Sequence, residues 1–462
     1  MAAAAASLAP SASANAGASA SASASASSSS PSSSPASSLL AWLIHNGAST
    51  CVKAAGIHSD PSSDFDDGAS SSAPLLCVSA SSHLVLAAKS HGLEKDTVVA
   101  IVPRQLILTA QATYAAPLIA SACASTASAE LTSWVTQLAM AVAAERAIGD
   151  KSFWKPYLDT VPRRADVPYF WTHRQRRRLQ GTEAEAMTLS AEARAKHEWN
   201  ACVASAFKQD ERLSKVTYED YLDARSTVTS RAFDIGGEER AGMVPLFDLF
   251  NHVSADENVN VGTDRDGAMQ LICVRAAAPH EQIFNTYGRL GNAHLLAHYG
   301  FVDATNPVAD SARLPSSLVR AAAAAQGVAG AKIAQVMRDV DCPDHFAVAA
   351  DGTPDHMLLE AISRMHDTVA PPRAELLAPL PARTLASALS KRIAEFGDDV
   401  EADDGGSGDE NDKSRVGAAS CVRDAELGAL RACHSNAEQL AANLPEKTPA
   451  NNSAANAPWD LF

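Results

Sequence analysis

Apolar residues along the chain fall into helical and strand periods that alternate without the regular βα rhythm of a doubly wound sheet. Leu39-Leu40-Ala41-Trp42-Leu43-Ile44 predicts an opening helix that ends near Asn46-Gly47. Val98-Val99-Ala100-Ile101-Val102 predicts a buried strand closed by Pro103, which cannot donate to a ladder. Over residues 131–149, Trp134, Leu138 and Val142 repeat at i, i+4 and i+8, so a helix with a core face should end at Gly149. Met243 to Phe250 is an almost continuous apolar run holding one acid, Asp248, and reads as a buried strand that delivers Asn251-His252 at its end. A hairpin is expected around Asp266-Gly267, between Asn258-Val259-Asn260-Val261 and Met269-Gln270-Leu271-Ile272-Cys273. Glu281 to Gly288 reads as another short strand stopped by glycine. Further on, Leu358, Ile362 and Met365, then Leu385, Leu389, Ile393 and Phe396, take helical spacing, and one more helix is expected at about 422–444. The C-terminal third is therefore helical.

Composition adds boundaries to this pattern. Residues 1–38 are almost wholly Ala and Ser with no charged side chain, too little apolar surface to offset ordering entropy, and are expected to be disordered. The stretch 59–74 is a loop by composition, residues 397–415 an acidic, self-repelling loop, and 445–462 a polar tail. A chain of 462 residues, 46% apolar, can bury a sizeable core. A formal charge of −15 and a pI near 5.4 argue against affinity for nucleic acid or anionic lipid and favour a basic protein partner. Eight scattered cysteines without paired spacing read as reduced intracellular thiols, and no apolar run is long enough to span a bilayer. The Ser-rich start fits an organelle transit peptide, but its lack of Arg does not, so nucleus or cytoplasm is the expected location.

Several chemistry-bearing residues have ordinary structural explanations. The aromatics of Ser152 to Leu158 and Phe170-Trp171 read as core, and His173-Arg174-Gln175-Arg176-Arg177-Arg178 as a solvated helix face. His294 and His298 stand at the spacing of a helical zinc pair. Position 295, however, is leucine where a zincin needs glutamate, so packing explains them better and no metal is expected.

What lifts the centre of the chain above this background is joint occurrence. Ser230-Arg231-Ala232-Phe233, Asp248-Leu249-Phe250-Asn251-His252, Asn285-Thr286-Tyr287-Gly288 and Tyr299-Gly300-Phe301-Val302 follow one another within 75 residues. In this order they resemble the C-terminal half of a SET domain, in the branch of Rubisco large-subunit methyltransferase and the fungal ribosomal-protein lysine methyltransferases. The resemblance implies an α+β fold: a SET domain of short strands (a β-clip) over 39–302 with a helical insert at 112–228, then an all-α substrate-binding lobe over 303–444. It also implies S-adenosylmethionine as cofactor and methyl transfer to a lysine of a non-histone, possibly ribosomal, protein by a monomer. It places Tyr287 beside the reacting amine, Arg231, Asn251, His252 and Tyr287 around the cofactor, and Phe233, Tyr299 and Phe301 in the wall of a lysine channel. Where the branch carries Gly-x-Gly to let the backbone approach the cofactor, this chain has Ser82-His83-Leu84-Val85-Leu86. Two alternatives stay open on sequence alone: a catalytically silent SET-fold binding module, and a metallohydrolase built on His294 and His298. Asp248 reads as structural, with Arg231 as its ion-pair partner the plain reading of that arginine.

Overall fold

The computed structural model describes residues 35–50, 52–54, 76–78, 85–87, 92–125, 133–237, 239–279, 281–308, 310–397 and 410–442. The expectations for residues 1–34, the loop at 59–74, Ser82 to Leu84 and the tail at 445–462 lie outside these. The chain divides into two units, the first being Met1–Arg178, Ala184–Val308 and Asp404–Cys421, the second Leu179–Glu183, Ala309–Asp403 and Val422–Phe462.

Strands of the first unit are short: β1 (Ser49–Thr50), β2 (Val52–Ala54), β3 (Leu76–Val78), β4 (Val85–Ala87), β5 (Val98–Val102), β6 (Ala232–Gly236), β7 (Arg240–Met243), β8 (Asn251–His252), β9 (Val259–Thr263), β10 (Met269–Cys273) and β11 (Phe284–Asn285). They form small sheets: β1-β5-β10-β9, β2-β3-β4, the hairpin β6-β7, and the parallel pair β8-β11. The hairpin β9-β10 turns at Gly267, whose φ of +79° is open to glycine, as the Asp-Gly signal predicts. Helices α1 (Pro35–His45), α2 (Ala116–Ser125), α3 (Trp134–Ile148), α4 (Lys155–Leu158), α5 (His173–Arg177), α6 (Glu183–Glu198), α7 (Ala204–Phe207), α8 (Tyr218–Arg231) and α9 (Asn292–Tyr299) are interleaved with them. One core joins Leu39 and Leu43 of α1, Val99 and Val102 of β5, Leu138 and Val142 of α3, and Val228 of α8 with Met243, Phe247 and Phe250.

Four boundaries differ from expectation. The opening helix begins at Pro35, so residues 35–38 are ordered; Trp134 starts α3 but is 38% exposed, leaving Leu138 and Val142 to carry the core face. The apolar run from Met243 to Phe250 is not one strand. Leu246 takes a φ of +75°, and a single 3₁₀ turn, Phe247–Leu249, separates β7 from β8. A non-glycine residue held there costs on the order of 1–3 kcal/mol, and such strain collects at sites where surrounding packing fixes the backbone. Burial of Leu246, Phe247 and Phe250 supplies that packing, and the turn aims Asp248 inward. Finally, α14 (Glu410–Ala442) begins twelve residues before the expected 422, taking in 410–415 of the stretch expected as an acidic loop, where Asp412 accepts from the Gln175 side-chain amide at 2.6 Å.

The second unit has its own core, from Leu314, Val319, Phe346, Leu358, Ile362, Leu385, Leu389 and Leu430. Helices α10 (Ser316–Ala325), α11 (Gly330–Asp339), α12 (His356–Met365) and α13 (Pro379–Glu395) supply most of it. An antiparallel pair of β12 (Ala312–Pro315) and β13 (His345–Val348), with α10 and α11 between them in the chain, makes this lobe mostly rather than wholly helical. Arg423 caps the end of α13 by donating to the carbonyls of Phe396 (2.8 Å) and Gly397 (3.0 Å).

Candidate functional site

Helix α8 delivers the first site residues. Thr217 starts it with a reciprocal cap, accepting from the Asp220 N–H at 3.2 Å while the Asp220 carboxylate accepts from the Thr217 N–H at 2.9 Å. Tyr221, Ala224 and Val228 bury one face, and the helix runs through Ser230-Arg231 directly into β6, which carries Phe233.

The second and third motifs meet because β8 and β11 pair in parallel, Asn251 opposite Phe284 and His252 opposite Asn285. Asn258 locks this pairing: its side-chain oxygen accepts from the Phe284 N–H at 3.0 Å, and its own N–H donates to the Phe284 carbonyl at 2.9 Å. Tyr287 then lies over His252 with ring centroids 4.9 Å apart. The Tyr287 N–H donates to His252 Nδ1 at 3.0 Å, and the other ring nitrogen sits 3.2 Å from the Ser254 hydroxyl. Nδ1 is therefore an acceptor, and burial lowers the pKa of this imidazole below its ordinary value, so it stays neutral.

The fourth motif closes the wall. Helix α9 ends at Gly300 with φ +84°, and a Cβ there would come within 2.6 Å of the Asp166 carbonyl oxygen. Only glycine fits this turn, and it sets Tyr299 and Phe301 against Tyr287 and each other. Tyr299 stacks on Tyr287 at 5.0 Å and 27°, while Phe301 meets it edge-on at 6.3 Å and 74°.

These elements enclose a cavity of about 500 Å³, within the range of ligand sites. Arg231, Asn251, Tyr287, Phe233, Tyr299 and Phe301 all line it, as do Ser230, Asp248 and Thr286. His252 does not. Its ring, 9% exposed, holds Tyr287 from behind, so the side-chain contact expected with a cofactor gives way to support of the tyrosine. The stretch Pro162 to Asp166 forms another wall. Sequence patterns did not flag it, since it carries no periodicity, although its acid is fixed by bonds from Arg415.

Charge in the cavity centres on Asp248. Arg231 Nη1 donates to the Asp248 carbonyl at 2.8 Å and to Oδ2 at 3.2 Å, and the buried Tyr157 hydroxyl donates to Oδ2 at 3.0 Å. The remaining oxygen, Oδ1, is buried without a hydrogen-bond partner. Burial raises the Asp248 pKa, with Arg231 and then Tyr157 opposing the rise. The expected Arg231–Asp248 pair is present, and the same arginine faces the cavity. Burial first, with the Asp248 charge adding and the Arg231 charge opposing, pushes the Tyr287 phenol up to about 12. Its O–H donates to the Phe250 carbonyl at 2.9 Å. The phenol therefore keeps its proton at neutral pH and can accept a hydrogen bond through its oxygen.

His294 and His298 lie with ring centroids 4.4 Å apart, and no group of three or more metal-binding side chains occurs among the described residues. No helix among the described residues is long and apolar enough to cross a membrane.

Among solved structures, the chain superposes on Rubisco LSMT bound to AdoMet with a TM-score of 0.62 over 89% of this chain and 93% of that one, at 19% identity. The SET domain of LSMT bound to lysine and AdoHcy gives 0.61 over 88% and 92%, at 20% identity. The protein has the SET fold. No family model matches the chain. The chain is 31% identical over 176 residues to the actin-histidine N-methyltransferase of Homo sapiens, 36% of this chain and 29% of that protein. An N-lysine methyltransferase of Danio rerio is 28% identical over 193 residues, 37% of this chain and 42% of the relative. The chloroplastic [fructose-bisphosphate aldolase]-lysine N-methyltransferase of Arabidopsis thaliana is 27% identical over 176 residues, 35% and 36% respectively. The chain thus spans less than half the length of each of these relatives. The SET fold accounts for the parallel β8-β11 pair, which brings Asn251 and Tyr287 to one cavity.

Proposed function

We propose that the protein is an S-adenosylmethionine-dependent protein N-methyltransferase that modifies a lysine side chain of a non-histone protein. The observation that carries this reading is the convergence of Arg231, Asn251 and Tyr287 with three aromatic walls on one cavity. The residues present fit the cofactor. Arg231, a quarter exposed and lining the cavity, has N–H groups to offer a carboxylate. When bound, the cofactor supplies a methyl group on a sulfonium, an electrophile that needs alignment more than activation.

Alignment falls to the tyrosines. The Tyr287 hydroxyl, fixed by its bond to Phe250, presents its lone pairs to one N–H of an incoming amine, while Tyr299 and Phe301 keep water away. A phenol raised to about 12 does not act as base, so the amine loses its proton to water before or during entry. The aromatic rings of Phe233, Tyr299 and Phe301 in the cavity wall also attract an ammonium, which supports lysine as the acceptor. The net charge of −15 suits a lysine-rich protein, a ribosomal component being the candidate. The actin-histidine relative supports a second acceptor, histidine.

Labelled S-adenosylmethionine, the full chain and a cell lysate test this, with mass spectrometry locating the methyl group. Wild type should label a protein band, Tyr287→Phe should lose most of the signal, and Asn251→Ala should bind cofactor more weakly by about 1–3 kcal/mol. A methyl on histidine would select the second acceptor. Cofactor binding with no transfer to any protein would replace the enzyme by a silent binding module.

A further inference from the structure

We propose that Tyr157 is a positioning residue for Arg231, acting through Asp248, and thereby sets how tightly the cavity holds the amino-acid end of its ligand. This rests on the reading of Arg231 as the group that meets the cofactor carboxylate. Tyr157 closes α4 and has no solvent exposure. Its ring is walled in, and its one polar atom is spent on Asp248 Oδ2 at 3.0 Å. That same oxygen receives Arg231 Nη1 at 3.2 Å, and Nη1 also holds the Asp248 main-chain carbonyl at 2.8 Å.

The chain of contacts has a direction. Tyr157 cannot move, because it is packed in the core with Trp154, Leu158 and Phe247. Asp248 can, because its carboxylate has one oxygen bonded twice and the other not at all. Away from Arg231, the hydrogen bond that fixes the carboxylate's last torsion comes from the Tyr157 hydroxyl, such terminal torsions being broad in themselves. Arg231 is a quarter exposed, so its orientation toward the cavity depends on the two points at which Asp248 holds it. Removing the Tyr157 hydroxyl leaves the carboxylate anchored by the arginine it is meant to orient. Ligand affinity, not the alignment of the acceptor amine, should then fall.

Calorimetry of the full chain with S-adenosylhomocysteine reads this directly. Tyr157→Phe should weaken binding about tenfold, the scale of one lost hydrogen bond to a charged group. The KM for S-adenosylmethionine should rise in step, with kcat at saturation within about twofold. Tyr221→Phe, which removes a matched buried hydroxyl from another carboxylate, should lower the melting temperature and leave affinity unchanged. On an Asp248→Ala background, Tyr157→Phe should cost no further affinity. If Arg231→Met loses binding while Tyr157→Phe binds like wild type, the proposal fails and the cofactor site stands. If Arg231→Met binds like wild type, that reading of the site fails and takes the proposal with it. Should Tyr157→Phe not fold, Asp248→Ala alone decides, since unchanged affinity there means nothing passes through the carboxylate.

Discussion

Helix α8 carries two arginines, Arg225 and Arg231, and each holds a buried carboxylate that also receives a tyrosine hydroxyl. Around Glu198 the set is closed: Tyr221 donates at 2.7 Å, Arg225 Nε at 2.9 Å and Nη2 at 3.5 Å, so both oxygens are engaged. Glu198 is fully buried and the Arg225 side chain 6% exposed. Around Asp248 the same three residue types leave one oxygen without a partner and expose a quarter of the arginine to a cavity. The chemistry is alike and the completeness differs. A closed cluster braces α6 against α8; the open one leaves its arginine facing a cavity where a ligand can meet it.

Amide replacement should separate the two most strongly. In Glu198→Gln the new NH₂ meets an Arg225 N–H at either oxygen's position, and a guanidinium only donates, so one buried donor is stranded and a loss of about 2–4 kcal/mol in urea unfolding is expected. In Asp248→Asn the amide oxygen can keep Tyr157 and Arg231 while its NH₂ replaces Oδ1, an atom already buried without a partner, so no bond of the wild type is lost and the cost should be smaller than in Glu198→Gln. Equal losses would show that the orphaned oxygen of Asp248 has no bearing on stability. Ligand linkage gives a second, comparable effect. At a hundredfold excess over Kd, S-adenosylhomocysteine should stabilise wild type by about 2.7 kcal/mol. Glu198→Gln should retain that gain and Arg231→Met should lose most of it. A full gain in Arg231→Met would remove the open cluster from the ligand site.

The difference between these clusters also marks where reading the sequence stops. Arg231, Asn251, Tyr287, Tyr299 and Phe301 were legible because their motifs sit at fixed spacing, and short motifs carry backbone requirements such as Gly300 with them. The hairpin at Gly267 was legible from its turn residues. Tyr157 was visible only as one more core aromatic, since its partner lies 91 residues away and no local pattern records the pairing. His252 shows the same limit: a dipeptide tells that both residues are near the site, but only the fold tells that the Asn251 side chain lines the cavity while the His252 ring backs the tyrosine. The expected strand at Met243 to Phe250 failed because apolar content predicts burial, and burial does not distinguish a strand from a strained turn.

The smallest effect expected at neutral pH lies on the helix that joins the two regions. Helix α9 packs on α8 and carries His294 and His298, whose rings lie 4.4 Å apart, immediately before Tyr299 of the cavity wall. Burial, then the charges of His294 and Arg225, hold the His298 pKa down to about 4, against an ordinary value of 6.5. The sign follows from linkage: between those values the unfolded chain binds a proton that the folded chain refuses, so stability falls as pH drops from about 6.5 towards 4. Above 6.5 neither state is protonated and the residue adds no pH dependence. Urea unfolding of wild type and His298→Asn should therefore agree in slope near neutrality and diverge on the acid side, the variant losing less stability by up to one proton's worth of linkage. Parallel acid limbs would mean that His298 titrates alike in both states.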